Sequence, residues 1–175
     1  MSASPTVESA EAAVRSASRS LGRLLDTDPD ARDVLEHLET RPSVDDRSID
    51  ALVQWKRREF LRVAARDLLG VDTFEGVASD LAAMAADVFD ASVRLSDIDG
   101  LAVIGMGKLG GRELNYASDA DVMLVAPEDG DLATIERGAR HAIEIARRCF
   151  RVDLNLRKHM DRFLSALRDV ETGAA

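Results

Sequence analysis

The sequence predicts an α+β protein: a helical N-terminal arm followed by a small mixed sheet with flanking helices. Three observations carry this prediction. Across the first hundred residues apolar side chains recur at three- and four-residue steps, as in Val77, Leu81, Met84, Val88, Ala91 and Leu95. After residue 100, short strand-like runs appear at 101–105 (LAVIG), 121–125 (DVMLV) and 150–156 (FRVDLNL). Between the last two, residues 131–149 return to a helical period through Leu132, Ile135, Ala139, Ala142, Ile143 and Ala146.

Taken in order, residues 8–25 are Ala-rich with scattered charges and predict one helix. Asp30 is placed to cap a short helix running to Glu39, and Pro42 and Ser43 stop it. Residues 48–69 carry an apolar stripe of Ile49, Leu52, Val53, Phe60, Val63, Ala64 and Leu68. The Trp55-Lys-Arg-Arg run in its middle predicts an exposed basic face around a buried indole. Gly70 ends that helix and Thr73 caps the next. Asp97-Ile-Asp-Gly is a turn, and residues 101–105 read as a short buried strand. Gly110-Gly111 forms a hinge, with at most a turn or two of helix at 112–116. Pro127 and Gly130 close the second strand, and residues 158–175 read as a weak amphipathic helix with a frayed end. Three units follow: a helical region at 1–96, an α/β core at 97–157 and a C-terminal tail at 158–175.

Composition narrows the function. With 175 residues the chain has room for one domain with a real core, or one plus a helical arm. A formal net charge of -9 argues against a broad nucleic-acid-binding face. It suits small phosphorylated ligands held through a metal, or a protein substrate. Cys149 is the only cysteine, so no intrachain disulfide forms and a reducing cytoplasm is expected. No apolar run is long enough to span a membrane, and the N-terminus lacks the apolar core of a secretory signal. His37, His141 and His159 have no metal-ligand spacing and read as surface residues; Cys149 reads as a small core residue.

Residues 101–125, LAVIGMGKLGGRELNYASDADVMLV, hold two competing patterns. Gly105, Gly107 and Gly110 match G-x-G-x-x-G, but a dinucleotide fold needs a long helix directly after the last glycine, and S-D-A-D arrives too soon to allow one. The spacing of glycine and lysine also fails the P-loop pattern. The S-D-A-D fits a different chemistry. Side chains at i and i+2 of a strand share a face, which puts Asp119 and Asp121 together with Cα atoms roughly 6.5–7 Å apart. Two carboxylates so close repel unless a cation lies between them, and Mg²⁺ binds through one or two carboxylates plus substrate phosphates. In the third strand Arg151, Asp153, Asn155 and Arg157 share a face, so Asp153 supplies a third carboxylate if that strand lies beside the second. Such a set suits metal-assisted nucleotidyl transfer. Gly110 and Gly111 would let backbone N–H groups approach phosphate, and Lys108, Ser118 and Arg157 are candidate phosphate contacts. Lys108 reads equally well as a solvent-facing loop charge.

The string GMGKLGGRELNYASDAD resembles the signature of the glutamine synthetase adenylyltransferase/deadenylylase family, a branch of the DNA polymerase β-like nucleotidyltransferases. VDLNLR resembles the segment carrying that family's third acid, and WKRREFLRVAARDLLG the helix before its catalytic core. The resemblance covers about residues 55–157. It implies a nucleotidyltransferase core at 97–157, with Gly110 and Gly111 as nucleotide-cradling glycines, Asp119 and Asp121 as the metal pair, and Asp153 as the third acid. It also implies Mg²⁺ with ATP for adenylylating a tyrosine of glutamine synthetase, or phosphate with release of ADP for the reverse reaction, under the influence of PII signalling proteins and glutamine. The E-L-N form resembles the deadenylylating half of the family, and S-D-A-D-V-M also resembles the adenylylating half, so direction stays open. After VDLNLR the family continues with P-x-G and a Gly-rich stretch, whereas this chain reads Lys158-His-Met-Asp. The expectation is therefore a short or divergent single module. Its alternative role is a catalytically incomplete nucleotide-binding fragment serving interaction or regulation.

Overall fold

The computed structural model describes residues 6–126 and 131–154. Five helices come first: α1 (Val7–Ala17), α2 (Arg19–Thr27), α3 (Ala31–Glu36), α4 (Ile49–Leu68) and α5 (Phe74–Leu95). Then follow β1 (Ala102–Gly105), the one-turn α6 (Gly107–Gly110), β2 (Ala120–Val125), α7 (Leu132–Ala146) and β3 (Val152–Asp153). The sheet has the order β1-β2-β3, with β1 antiparallel to β2 and β2 parallel to β3. The α+β class with a small mixed sheet is therefore as expected.

Helix ends follow their capping chemistry. Side-chain oxygens of Thr6, Ser18, Ser48, Thr73 and Asp131 accept the amides of Ser9, Leu21, Ala51, Gly76 and Thr134. The expected single helix over 8–25 is two, because Ser18 adopts an extended backbone and its hydroxyl caps a new start. Asp30 precedes α3 but makes no side-chain cap, and α3 ends at Glu36. Around the glycines the helical turn lies at α6, ahead of the expected position, and 112–116 is not helical. β1 is only half-buried, with Ile104 facing outward, because it forms a rim of the sheet rather than its centre. The last strand is shorter than expected; residues 155–156 and the tail helix predicted over 158–175 lie outside the described residues.

Two apolar clusters hold the fold. One packs Leu52, Trp55 and Val63 of α4 and much of α5 against Leu114, Val122 and Ile143. The other packs Leu61, Ala64 and Ala65 of the same α4 against Val14, Leu24 and Leu35 of the arm. α4 is thus covered on two sides, which carries polar residues inward as well. Glu59 is fully buried and Arg62 nearly so. Arg62 donates to Glu59 at 2.8 and 2.9 Å, to Asp80 at 2.9 Å and to the Leu38 carbonyl at 3.2 Å. Arg41 reaches Glu59 at 3.2 Å and Asp87 at 2.6 Å. The Trp55 indole donates to the Pro42 carbonyl at 3.2 Å, fixing the chain between α3 and α4. In the basic run Trp55 is buried and Arg57 exposed, as expected, but Lys56 and Arg58 are half-buried, and Arg58 makes a paired contact with Asp28 at 2.7 Å through two nitrogens.

Removing one partner of a buried ion pair strands the other. Arg62→Met is expected to lower unfolding free energy by about 3–5 kcal/mol in urea titration, with most of that loss recovered in Glu59→Leu/Arg62→Met. The Arg58 guanidinium holds the Asp28 carboxyl below its usual range, against the opposing effect of burial. That contribution is complete above the unfolded carboxylate pKa of about 3.9 and fades as pH falls through the depressed folded value. Arg58→Met is therefore expected to be less stable than the parent at pH 7, with the gap narrowing as urea titrations move toward pH 2.

Candidate functional site

The site forms where β2 and β3 start beside α6. Asp121 and Asp153 are cross-strand partners in the parallel ladder, so their side chains leave the same face of the sheet. On β2, Ala120 and Val122 are buried while Asp121 is exposed, which is the alternation the sequence predicts. Asp119, one residue before the strand, is half-exposed. The expected neighbourhood of three acids along two strands is present in the backbone.

Their side chains do not all converge. The Asp119 carboxylate meets the Arg151 guanidinium at 2.7 Å, and Arg151 also donates to the Ala117 carbonyl at 2.9 Å. Among the described residues, no group of three or more His, Cys, Asp or Glu side chains stands close enough to hold a metal ion. Asp121 and Asp153 still offer the hard oxygen donors that suit Mg²⁺ when substrate phosphates complete its shell. Their donor chemistry fits such an ion, while the Asp119 carboxylate is taken up by Arg151.

The glycines act by making room. A Cβ on Gly110 would lie 2.5 Å from the Gly105 carbonyl oxygen, a backbone atom that cannot yield. α6 therefore folds back directly onto the end of β1. The Gly110 and Gly111 amides donate to the Met106 and Gly107 carbonyls at 3.0 and 2.9 Å, so in this conformation they face into the turn. Gly107 is the residue the sequence argument passed over. It has φ +51, and a Cβ there would sit 3.0 Å from an Asp121 carboxylate oxygen. The amide of Met106 completes the junction by donating to the Asp121 carbonyl at 2.8 Å. The signal was visible as the middle glycine of the discarded dinucleotide pattern.

Ser118 organises the loop entering β2: its hydroxyl accepts the Asn115 amide at 3.2 Å, and the Asn115 side chain accepts the Ala117 amide at 3.0 Å. Tyr116 ties that loop to α4, donating to Asp67 at 2.7 Å and packing edge-on to Phe60 with ring centroids 5.5 Å apart. Burial and the neighbouring Asp67 push the Tyr116 phenol above its usual range. Lys108 is exposed on α6, and Arg157 lies outside the described residues. Cys149 is half-buried, and burial raises its thiol pKa. His37 and His141 are exposed, as expected; His159 is outside the described residues. No described helix is long and apolar enough to cross a membrane.

Comparison with known proteins adds a family to this geometry. Residues 8–165 match the family described as glutamate-ammonia ligase adenylyltransferase. The chain is 38% identical over 141 residues to a bifunctional glutamine synthetase adenylyltransferase/adenylyl-removing enzyme of Mycobacterium avium, covering 70% of this chain and 14% of that protein. It is 39% identical over 118 residues to the protein of the same name in Corynebacterium efficiens, covering 59% of this chain and 11% of the relative. In Mycobacterium leprae the figures are 44% over 89 residues, 45% and 9%. The chain thus spans only a small part of the length of these relatives. With the match running through both the helical arm and the acidic strands, the chain belongs to the glutamate-ammonia ligase adenylyltransferase family.

Proposed function

We propose that this chain is a nucleotidyltransferase module that moves an AMP group to or from a tyrosine of glutamine synthetase, in the cytoplasm, as part of the control of nitrogen assimilation. The observation that carries the reading is the register of Asp121 with Asp153, next to a glycine turn that opens directly onto Asp121. ATP is the donor in the forward direction; phosphate is the acceptor in reverse, leaving as ADP. A PII signalling protein is the proposed regulatory partner.

In this reading Asp121 and Asp153 would hold Mg²⁺, and Asp119 would join them on release from Arg151. The ion would supply charge neutralisation at the transferred phosphoryl group. The chain's own groups do the positioning. In adenylylation Asp119 or Asp153 would accept the proton from the tyrosine hydroxyl as its oxygen bonds to the α-phosphorus of ATP and the bond to the departing pyrophosphate breaks. Gly107, having no side chain, leaves the approach to Asp121 open. Arg151, once exchanged from Asp119, presents a guanidinium toward phosphate oxygens. Lys108 on α6, together with Ser118, Gly110, Gly111 and Arg157, completes the proposed nucleotide contacts.

A second reading has an observation of its own. The Arg151–Asp119 ion pair occupies one of the acids that the chemistry needs. A module in which Asp119 stays with Arg151 would bind nucleotide, or a partner, without turning over.

The two readings separate in one set of assays. Incubation with glutamine synthetase, Mg²⁺ and labelled ATP, or with adenylylated synthetase and phosphate, is expected to move label in at least one direction, and Asp121→Asn to reduce the rate by more than about a hundredfold. Silence in both directions supports the non-catalytic reading. In calorimetry Arg151→Gln is expected to tighten Mg²⁺ binding by freeing Asp119; unchanged affinity would remove Asp119 from the ligand set.

A further inference from the structure

The acidic balance of this protein makes its basic residues informative. Many of the arginines are matched to carboxylates, as Arg58 to Asp28, Arg66 to Asp72, Arg41 to Asp87 and Arg94 to Asp46; unmatched cations elsewhere, such as Arg112 and Arg147, do not line this cavity. Arg19, Arg23, Lys56 and Arg57 have no ion-pair partner among the described residues, and all four line one cavity of about 650 Å³. It lies between α2, α4 and the end of α7, and no acidic residue lines it among those described. Arg148 stands at the same cavity, tied to the exposed Asp50 at 3.0 Å. Like charges gathered without a counter-charge are costly, and an anion removes the cost.

Lys56 strengthens the point. Its ammonium sits 4.5 Å from the centroid of the Phe60 ring and 4.8 Å from that of Phe150. Burial pushes its pKa down, so a bound anion would favour the charged form. Val53, Leu24 and Phe60 give the cavity an apolar wall, and Ser20 and Thr27 add hydroxyls. The volume is that of a small-molecule pocket. Guanidinium forks match phosphate oxygens in pairs, and several of them together call for a compact group of more than one negative charge.

We propose that this cavity is a separate anion site that takes the di- or triphosphate chain of a small molecule, with the rest of the ligand lying against Phe60 and Val53. It contains none of Asp119, Asp121 and Asp153. It shares Lys56, Phe60 and Cys149 with a smaller cleft that is also lined by Ser118 and Arg151, so it adjoins the carboxylate site without belonging to it. The inference goes beyond the adenylyl-transfer reading and does not rest on it.

Calorimetry on the full chain in EDTA tests it, with pyrophosphate, ADP and ATP as separate ligands. Pyrophosphate is expected to bind without metal, and Arg19→Gln/Arg57→Gln to weaken it by at least about tenfold. Both arginines are exposed, so the fold should be retained, and circular dichroism checks this. Arg147→Gln, an exposed charge outside the cavity, is expected to leave affinity within about twofold. Equal binding of pyrophosphate and ATP identifies the phosphate chain alone as the ligand, and tighter ATP adds the nucleoside at Phe60; either supports the site. The proposal is overturned by no binding of any of the three at millimolar concentration, by binding that survives the double arginine change, or by a loss equally large in Arg147→Gln. None of these outcomes bears on adenylyl transfer, which depends on Mg²⁺ and Asp121.

Discussion

The fold depends on α4 being buried from two sides. Helices at a protein surface present one apolar stripe and keep their charges in water. Here one side of α4 meets α5 and the sheet-side core, the other meets the arm, and Phe60 packs against both clusters. Glu59 and Arg62 are consequently drawn inside, where each must satisfy the other. Because Arg62 also reaches Asp80 and the Leu38 carbonyl, this polar core fixes α5 and the end of the arm relative to α4. The apolar cluster on the sheet side takes members from both sides of residue 96, joining the helical region to the strands.

That scaffold governs the candidate site. α5 packs under β1 and α6, and the close approach of Gly110 to the Gly105 carbonyl seats the turn on the sheet. Asp121 emerges between that turn and β3. The loop before it is held to α4 by Tyr116. The carboxylates are thus placed by backbone ladders and one tight turn, while the orientation of Asp119 is set by a single guanidinium. Position is built into the fold, and charge arrangement is adjustable.

Much of this was legible in the residues. The 3.6-residue period of α5, the cap at Thr73 and the alternation of β2 all express local rules. The sequence also made Asp153 a third carboxylate if its strand lay beside β2; the adjacency and the register with Asp121 came from the fold. The break at Ser18 was not legible, since the same residues fit a continuous helix and only the extended backbone at the cap decides otherwise. Neither was the exposure of β1, which depends on its rim position. The Arg151–Asp119 contact joins residues far apart in sequence, and nothing local marks it. Gly107 stood only in the dinucleotide pattern that was set aside, and was given no role: its positive φ and its nearness to Asp121 are tertiary facts. The basic cavity escaped for the same reason, being assembled from α2, α4 and α7.

The sequence contains one tryptophan and one tyrosine, and the fold separates them by role. Trp55 lies buried with its indole on the Pro42 carbonyl, at the junction of arm and core. Tyr116 lies half-exposed on the loop that leads into the acidic strand. The molecule therefore carries two optical probes at two addresses. Near-ultraviolet signals from the indole describe how the helices hold together, and those from the phenol describe the approach to the carboxylates, with no other chromophore of either kind to blur the distinction.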